Sequence, residues 1–308
     1  MKYAKIVLAG GNGYLGSVLA NYYKTIARHV VILSRKSKAA EDNVETVLWD
    51  GRTEGQWTET LKDADMLINL CGKNVNCRYN EKNREEIIAS RTVPTRLLNK
   101  VIAEMANPPK LWINVTSATI YRHAEDHSQD EYTGEIGYGF SIDVCKQWEA
   151  SFFETETALT PKVALRMGIV LGRNDSVFPR LLNLVKFGLG GHQGDGQQYV
   201  SWIHEHDVAR CTEWLLNNEG LVGVVNCVAP LAVKNTELMR LIRKAFGIPF
   251  GLPSPQWLLE IGMLLIGSET ELVLKSRWVV PNRLLESGFV FQFPNAKHAI
   301  HDILSIRV

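Results

Sequence analysis

The chain begins with an apolar run, Ala4-Lys5-Ile6-Val7-Leu8-Ala9, that empties into Gly10-Gly11-Asn12-Gly13-Tyr14-Leu15-Gly16. A strand, a glycine-rich turn and an immediate helix open a βαβ unit of the dinucleotide-binding kind, and few other folds use that order of elements. Each glycine answers a separate demand. Gly10 lets the chain leave the strand in a tight turn. Gly13 has no Cβ, so a pyrophosphate can lie against the backbone at the helix N-terminus, and Gly16 lets the helix pack close to the sheet. The helix is expected over residues 17–27.

Alternating strand and helix patterns extend this unit into a parallel sheet with helices on both faces. Further strands are expected at 29–33, 44–49, 65–70, 111–115 and 163–171, with helices at 81–105 and 141–156. Beyond Gly172 the pattern loosens. A short strand at 199–203, a helix at 206–217 and a strand at 222–228 precede a mostly helical remainder. The expected fold is α/β: a doubly wound parallel Rossmann sheet of six or seven strands with a smaller, mostly helical C-terminal lobe. Residues 1–172 would form the nucleotide-binding domain, and 173–308 a substrate lobe interleaved with the same sheet.

Charge excludes some partners. Lys and Arg total 34 against 33 Asp and Glu, so no global field draws the chain to nucleic acid or an anionic membrane. Five cysteines without a C-x-x-C pair fit a reducing, cytoplasmic setting. The N-terminus enters a strand at once, leaving no room for a signal peptide. The apolar stretch 257–267 contains Glu260 and is too short to span a bilayer. The expected partner is a small-molecule substrate, and the chain is a monomer or a homodimer.

At the end of the second strand, an acid would favour NAD and a basic residue NADP. The chain has Ser34-Arg35-Lys36 there and no acid until Glu41. Ser34 can donate to a 2′-phosphate, and Arg35 offers a planar guanidinium. NADP(H) is therefore expected over NAD. Leu70-Cys71-Gly72 ends the fourth strand where small residues flank the ribose and pyrophosphate. No cation or histidine adjoins Cys71 in sequence to activate its thiol, so it reads as a packing residue.

The G-x-x-G-x-x-G spacing, together with several further segments, resembles the atypical or extended short-chain dehydrogenase/reductases called the epimerase family. The segments are Leu67–Gly72, Glu86–Arg91, 144–149 (Val-Cys-Lys-Gln-Trp-Glu), 166–172 (Arg-Met-Gly-Ile-Val-Leu-Gly), Gly188–Gly191, Ser201–His204 and 280–289. The likeness runs from residue 5 to about residue 304. It implies NADP(H) binding through the glycine loop, Ser34, Arg35, Leu70, Cys71, Glu86 and Arg91, with Ile169 beside the nicotinamide. Read without the resemblance, Glu86 and Arg91 are charges on an amphipathic helix, most often a solvated face.

Working enzymes of that superfamily pair a Ser or Thr with Tyr-x-x-x-Lys; the Tyr moves the proton and the Lys acidifies it. Ser117 fills the first position. Phe140 and Val144 occupy the other two, and none of the nine tyrosines has a lysine four residues on. Tyr121, four residues past Ser117, is the best substitute acid. Sugar-nucleotide epimerases also carry a phosphate-gripping arginine where this chain has Val200, and valine makes no such contact. Phe140, Phe178, Trp202 and His204 are expected to line a rather apolar substrate pocket, although a histidine at a strand end is more often structural. No spacing suggests a metal site. The expected activity is an NADP-dependent oxidoreductase; the alternative is a regulatory or scaffold protein that binds NADP(H) without turnover.

Overall fold

A computed structural model describes residues 1–305 apart from Asp175, Ile266 and Ser268. In chain order the elements are β1 (Tyr3–Ala9), α1 (Tyr14–Tyr23), β2 (Ala27–Ser34), β3 (Val44–Leu48), β4 (Met66–Asn69), α2 (Glu81–Glu104), β5 (Trp112–Ser117), α3 (Phe140–Phe153), β6 (Lys162–Met167) and β7 (Ile169–Leu171). There follow α4 (Val177–Lys186), β8 (Tyr199–Val200), β9 (Trp202–His204), α5 (Glu205–Leu216), β10 (Gly223–Cys227), β11 (Val233–Lys234), α6 (Asn235–Ala245), α7 (Gln256–Leu265), α8 (Glu271–Leu274), α9 (Asn282–Glu286) and α10 (Ala296–Ser305).

Seven strands form one parallel sheet in the order β10-β6-β5-β4-β1-β2-β3. Such a sheet needs apolar cover on both faces. Ile6, Leu8, Leu19 and Val208 belong to the core on one face, which includes residues of α1 and α5; Val7, Leu67, Leu98 and Phe152 belong to the core on the other, with residues of α2 and α3. The doubly wound α/β fold is therefore present, with seven strands. Because strand order reverses between β1 and β4, the carboxyl ends of these two strands flank a crevice.

Several boundaries differ from the sequence expectation. The first helix begins three residues earlier, with Gly13 as its N-cap, and ends at Tyr23; residues 24–26 form the turn into β2. The expected strand at 163–171 is two strands. At Gly168 the chain leaves the sheet: its N–H donates to Cys227 O, and the next N–H, of Ile169, donates to Ser201 O. The expected strand at 199–203 likewise divides at Ser201, with β8 pairing β11 and β9 pairing β7.

The C-terminal lobe packs around Phe178, Leu182, Trp202, Met239 and Ile300. It is tied to the sheet domain by Asp207, whose buried carboxylate accepts the backbone N–H groups of Gln292 and Phe293 at 2.8 Å each. Because β10 comes from residues 223–227 yet lies in the central sheet, lobe and sheet share one chain path. Among the described residues no helix is long and apolar enough to cross a membrane. The five cysteines are unpaired.

Candidate functional site

A cleft of about 700 Å³ opens at the carboxyl ends of β1, β2 and β4. Gly10, Asn12 and Gly13 line one wall, Ser34 and Arg35 the end of β2, Trp49 to Arg52 the end of β3, and Leu70 to Asn74 the end of β4. Glu86, Ala89, Ser90, Val93 and Pro94 of α2 close the far side.

The glycine loop is shaped for a phosphate. Gly10 sits at φ +74°, and a Cβ there would lie 2.8 Å from Cys71 Sγ. Gly13 is the reverse case: the position its Cβ would take has nothing within 4 Å, an open cradle at the α1 N-terminus. Tyr14, Leu15 and Gly16 form the first turn of that helix, and Gly11 packs against Leu8 and Ile32. Asn12 spans from the loop to the end of β2, its Nδ2 donating to Ser34 Oγ and to Lys36 O. Its Oδ1 is buried with no hydrogen-bond partner among the described residues, an acceptor available to a ligand.

The adenosine end of the cleft is basic. Arg35 lines the cleft near enough for its charge to act on Cys71. Arg52, beyond β3, lines the same end, and the sequence reading did not select it. Its closeness to Arg35 follows from the parallel pairing of β2 with β3, which puts their carboxyl ends side by side. The acid there, Asp50, is occupied in its own turn: it accepts from Arg52 N–H, Thr53 N–H and Thr53 Oγ1 at 2.8–2.9 Å. Those bonds to Thr53 and Arg52 hold its carboxyl below the usual carboxylate range.

Cys71 is no nucleophile. Burial in the cleft floor pushes its thiol up to about 12, and Arg35 offsets only part of that. Glu86 lines the cleft but is ion-paired with Lys73 at 2.5 Å. Arg91 lies behind the wall: it donates to Lys73 O, Ile87 O and Ser90 Oγ, and its guanidinium is 5.1 Å from the centroid of the Trp148 ring. In this arrangement Arg91 straps the post-β4 loop to α2.

At the carboxyl end of β5, Ser117 Oγ accepts from Thr119 N–H at 3.2 Å and caps the short 3-10 turn Ala118–Ile120. Phe140 opens α3, packed edge-on against Tyr79 at 4.7 Å. The remaining expected site residues are elsewhere. Tyr121 is 2 % exposed, donates to Asn226 Oδ1 at 3.0 Å and packs against Arg166 at 4.9 Å. That environment gives Tyr121 a structural task and no open path to a substrate, which argues against it as the acid. Phe178 and Trp202 are sealed in the lobe core, with Trp202 Nε1 donating to Leu231 O. Ile169 begins β7 outside the cleft lining, in register with Trp202.

His204 is the N-cap of α5, its Nδ1 accepting the His206 N–H at 3.2 Å. Its Nε2 is 3.4 Å from Asp302 Oδ2, and His204, His206 and Asp302 are grouped closely enough to suggest a metal. The tautomer argues otherwise. With Nδ1 accepting, the neutral ring carries its proton on Nε2 and has no lone pair to offer there. The Arg173 guanidinium, 3.3 Å from the same Asp302 oxygen, already supplies the positive charge.

Residues 6–227 match the model of the "NAD dependent epimerase/dehydratase family". The chain belongs to that family. A second match, over residues 254–303, is to a domain of unknown function. Similar epimerase family proteins include SDR39U1 of Mus musculus, 29 % identical over 98 % of this chain and 100 % of the relative. YfhF of Bacillus subtilis is 29 % identical over 98 % of each chain. Among solved structures, human epimerase family protein SDR39U1 with NADPH superposes with a TM-score of 0.86, at 28 % identity, covering 98 % of this chain and 99 % of that one. A nucleoside-diphosphate sugar epimerase from Corynebacterium glutamicum, 24 % identical, shares the fold with a TM-score of 0.78 over 98 % of this chain and 58 % of its own. The cleft at Gly10–Gly13 lies at the strand-order reversal, the place where doubly wound α/β sheets bind their ligands.

Proposed function

We propose that the chain binds NADP(H) in this cleft and serves as an oxidoreductase on a small substrate held at the Ser117 end. The observation that supports the cofactor most directly is the cleft's composition: an open Gly13 cradle at one side, and Arg35 and Arg52 at the other with their neighbouring acid already bonded. Gly10 to Gly13 and the α1 N-terminus would receive the pyrophosphate, and Arg35 and Arg52 the 2′-phosphate. Ser34 Oγ is already an acceptor for Asn12 and Lys36 N–H, so its part is to shape the loop as well as to donate. Solution of the human relative with NADPH supports the same choice. The bound coenzyme supplies or accepts a hydride; Ser117 would hold the substrate oxygen.

Replacing Arg35 with Asp is expected to weaken NADPH binding about tenfold or more and to improve NADH relative to it, since a charge-assisted contact is replaced by a repulsion. Fluorescence titration with both coenzymes measures this; an unchanged NADPH/NADH ratio would reduce Arg35 to a surface charge. Turnover is tested by NADPH absorbance loss over a panel of carbonyl compounds. Ser117→Ala is expected to reduce the rate of any positive by roughly 100-fold. NADPH that binds and is never consumed would favour the non-catalytic reading, which Phe140 and Val144 in place of the Tyr and Lys support.

A further inference from the structure

We propose that the corner of the C-terminal lobe at the end of α6 docks on an anionic lipid bilayer, with Phe187, Phe250 and Leu252 entering its surface and Lys186, Arg243 and Lys244 meeting lipid phosphates. The chain's charges nearly balance as a whole, 34 basic against 33 acidic residues, so such an attraction has to be local. A second cleft, of about 310 Å³, opens at this corner and is lined by Arg240, Arg243, Lys244, Gly247, Ile248 and Pro249. It shares no lining residue with the nucleotide cleft, so the inference stands apart from the coenzyme reading. Hydrogen bonds tie three segments together here. Leu252 N–H donates to Gly188 O at 2.8 Å, Gly191 N–H to Leu252 O at 3.0 Å, and Arg243 Nη1 to Gly190 O. The Lys186 ammonium lies 5.4 Å from the centroid of the Phe246 ring, which joins the end of α4 to the end of α6.

Cations in the last turn of a helix are ordinary, because they offset its dipole. Two further facts set these apart. Glu237 pairs with Arg240 through two contacts of 2.6 Å, whereas no acid pairs with Lys186, Arg243 or Lys244 among the described residues. Arg243 Nε is also buried with no hydrogen-bond partner among the described residues, a donor left for an anion. Beside these charges stand Phe187, Phe250 and Leu252, which are 81 %, 85 % and 68 % exposed. Large apolar side chains exposed singly are ordinary; three on one tied corner mark a docking surface. A second copy of the chain is a poor occupant, since a two-fold contact would set one copy's cations against the other's. An anionic bilayer answers both features at once, with phosphates at its surface and an apolar layer just beneath. Next along the chain, α7 exposes Trp257, Ile261 and Leu264 at i, i+4 and i+7, one helical face. This apolar stretch is too short to span a bilayer, and an interfacial helix needs only to lie on one.

The test is co-sedimentation of the full chain with phosphatidylcholine vesicles, with and without about one-third phosphatidylglycerol. Binding to the anionic vesicles is expected to exceed binding to the neutral ones by about tenfold or more, and to fall as salt is raised. Lys186→Gln together with Lys244→Gln should weaken it about 30-fold, the effect of two cations near an anionic surface. Phe250→Ser should weaken it about tenfold with the charge unchanged. All three side chains are exposed, and an unchanged thermal midpoint shows each variant folded. Inorganic phosphate at matched ionic strength should leave the protein on the vesicles; displacement would make the cleft a free-phosphate site and overturn the inference. Equal binding to both vesicles, binding to neither, or indifference to the variants overturns it as well. A chain that is dimeric in solution and becomes monomeric with Phe250→Ser would assign the face to a second copy. Polyglutamate bound more tightly than anionic vesicles would assign it to an acidic protein, and either outcome rules out the bilayer.

Discussion

Glu149→Ala is expected to lower stability by about 3–5 kcal/mol, a large share of what a domain has. Glu149 on α3 and Arg166 on β6 form a bidentate pair: Arg166 Nε donates to Oε1 at 2.9 Å and Nη2 to Oε2 at 2.7 Å. Thr116 Oγ1 adds a third donor to Oε1 at 3.1 Å, and the two side chains are only 9 % and 10 % exposed. Removing the carboxylate strands a guanidinium that stays charged at every accessible pH, with Tyr121 packed against it. Urea denaturation measures the loss. The double variant Glu149→Leu with Arg166→Met separates burial from pairing, because replacing both charges by apolar groups is often near neutral. It should therefore be more stable than Glu149→Ala. If the double variant loses as much as the single one, the cost lies in packing and the stranded charge is not its cause. The pair fixes β5 and β6 directly beneath Ser117, so the same variant should also blunt whatever chemistry that residue supports.

The second large effect is acid sensitivity at His204. Burial, then the neighbouring His206, pushes its imidazole down to about 4 from an ordinary value near 6.5. The folded state therefore refuses a proton that the unfolded chain accepts. Between those two values the unfolded state binds more protons, so stability rises with pH; it is full above about 6.5 and is lost as pH falls towards 4. The spacing corresponds to about 3 kcal/mol. Carboxylates such as Asp65, held low by Lys110 and by the backbone N–H groups of Ala4 and Lys5, lose stability over part of the same range. The measurement that isolates His204 is thus a difference between wild type and His204→Asn, since Asn keeps an N-cap acceptor for α5 and does not titrate. The gap between their stabilities should change by about 2–3 kcal/mol from pH 7 to pH 4.5. Parallel pH profiles would show that His204 is not the group responsible.

Much of the nucleotide half was legible because its signals are local. The apolar run into Gly10–Gly16 dictates strand, turn and helix within a few residues, and Ser34-Arg35-Lys36 follows β2 without an intervening fold decision. Even so, the sequence predicts one continuous strand over 163–171, because Val163 to Leu171 is largely apolar around Arg166 and Gly168, and only the pairing of Ile169 with β9 shows where it leaves the sheet. Tyr121 illustrates a different limit. Four residues after Ser117, it looked poised over the site, yet Asn226 and Arg166, from strands far along the chain, hold it in the interior.

The sequence by itself determined the dinucleotide cradle, the basic end of β2, and the absence of Tyr-x-x-x-Lys, since each depends on residues adjacent in the chain or at fixed spacing. Tertiary structure decided which charges lie together. Arg52 joins Arg35 through the pairing of β2 with β3, and Lys275 and Arg277 reach Thr119 across more than 150 residues of chain. Such long-range meetings leave no periodic or local mark, because they are set by how the C-terminal lobe packs across the carboxyl end of the sheet and not by any preference of the residues themselves.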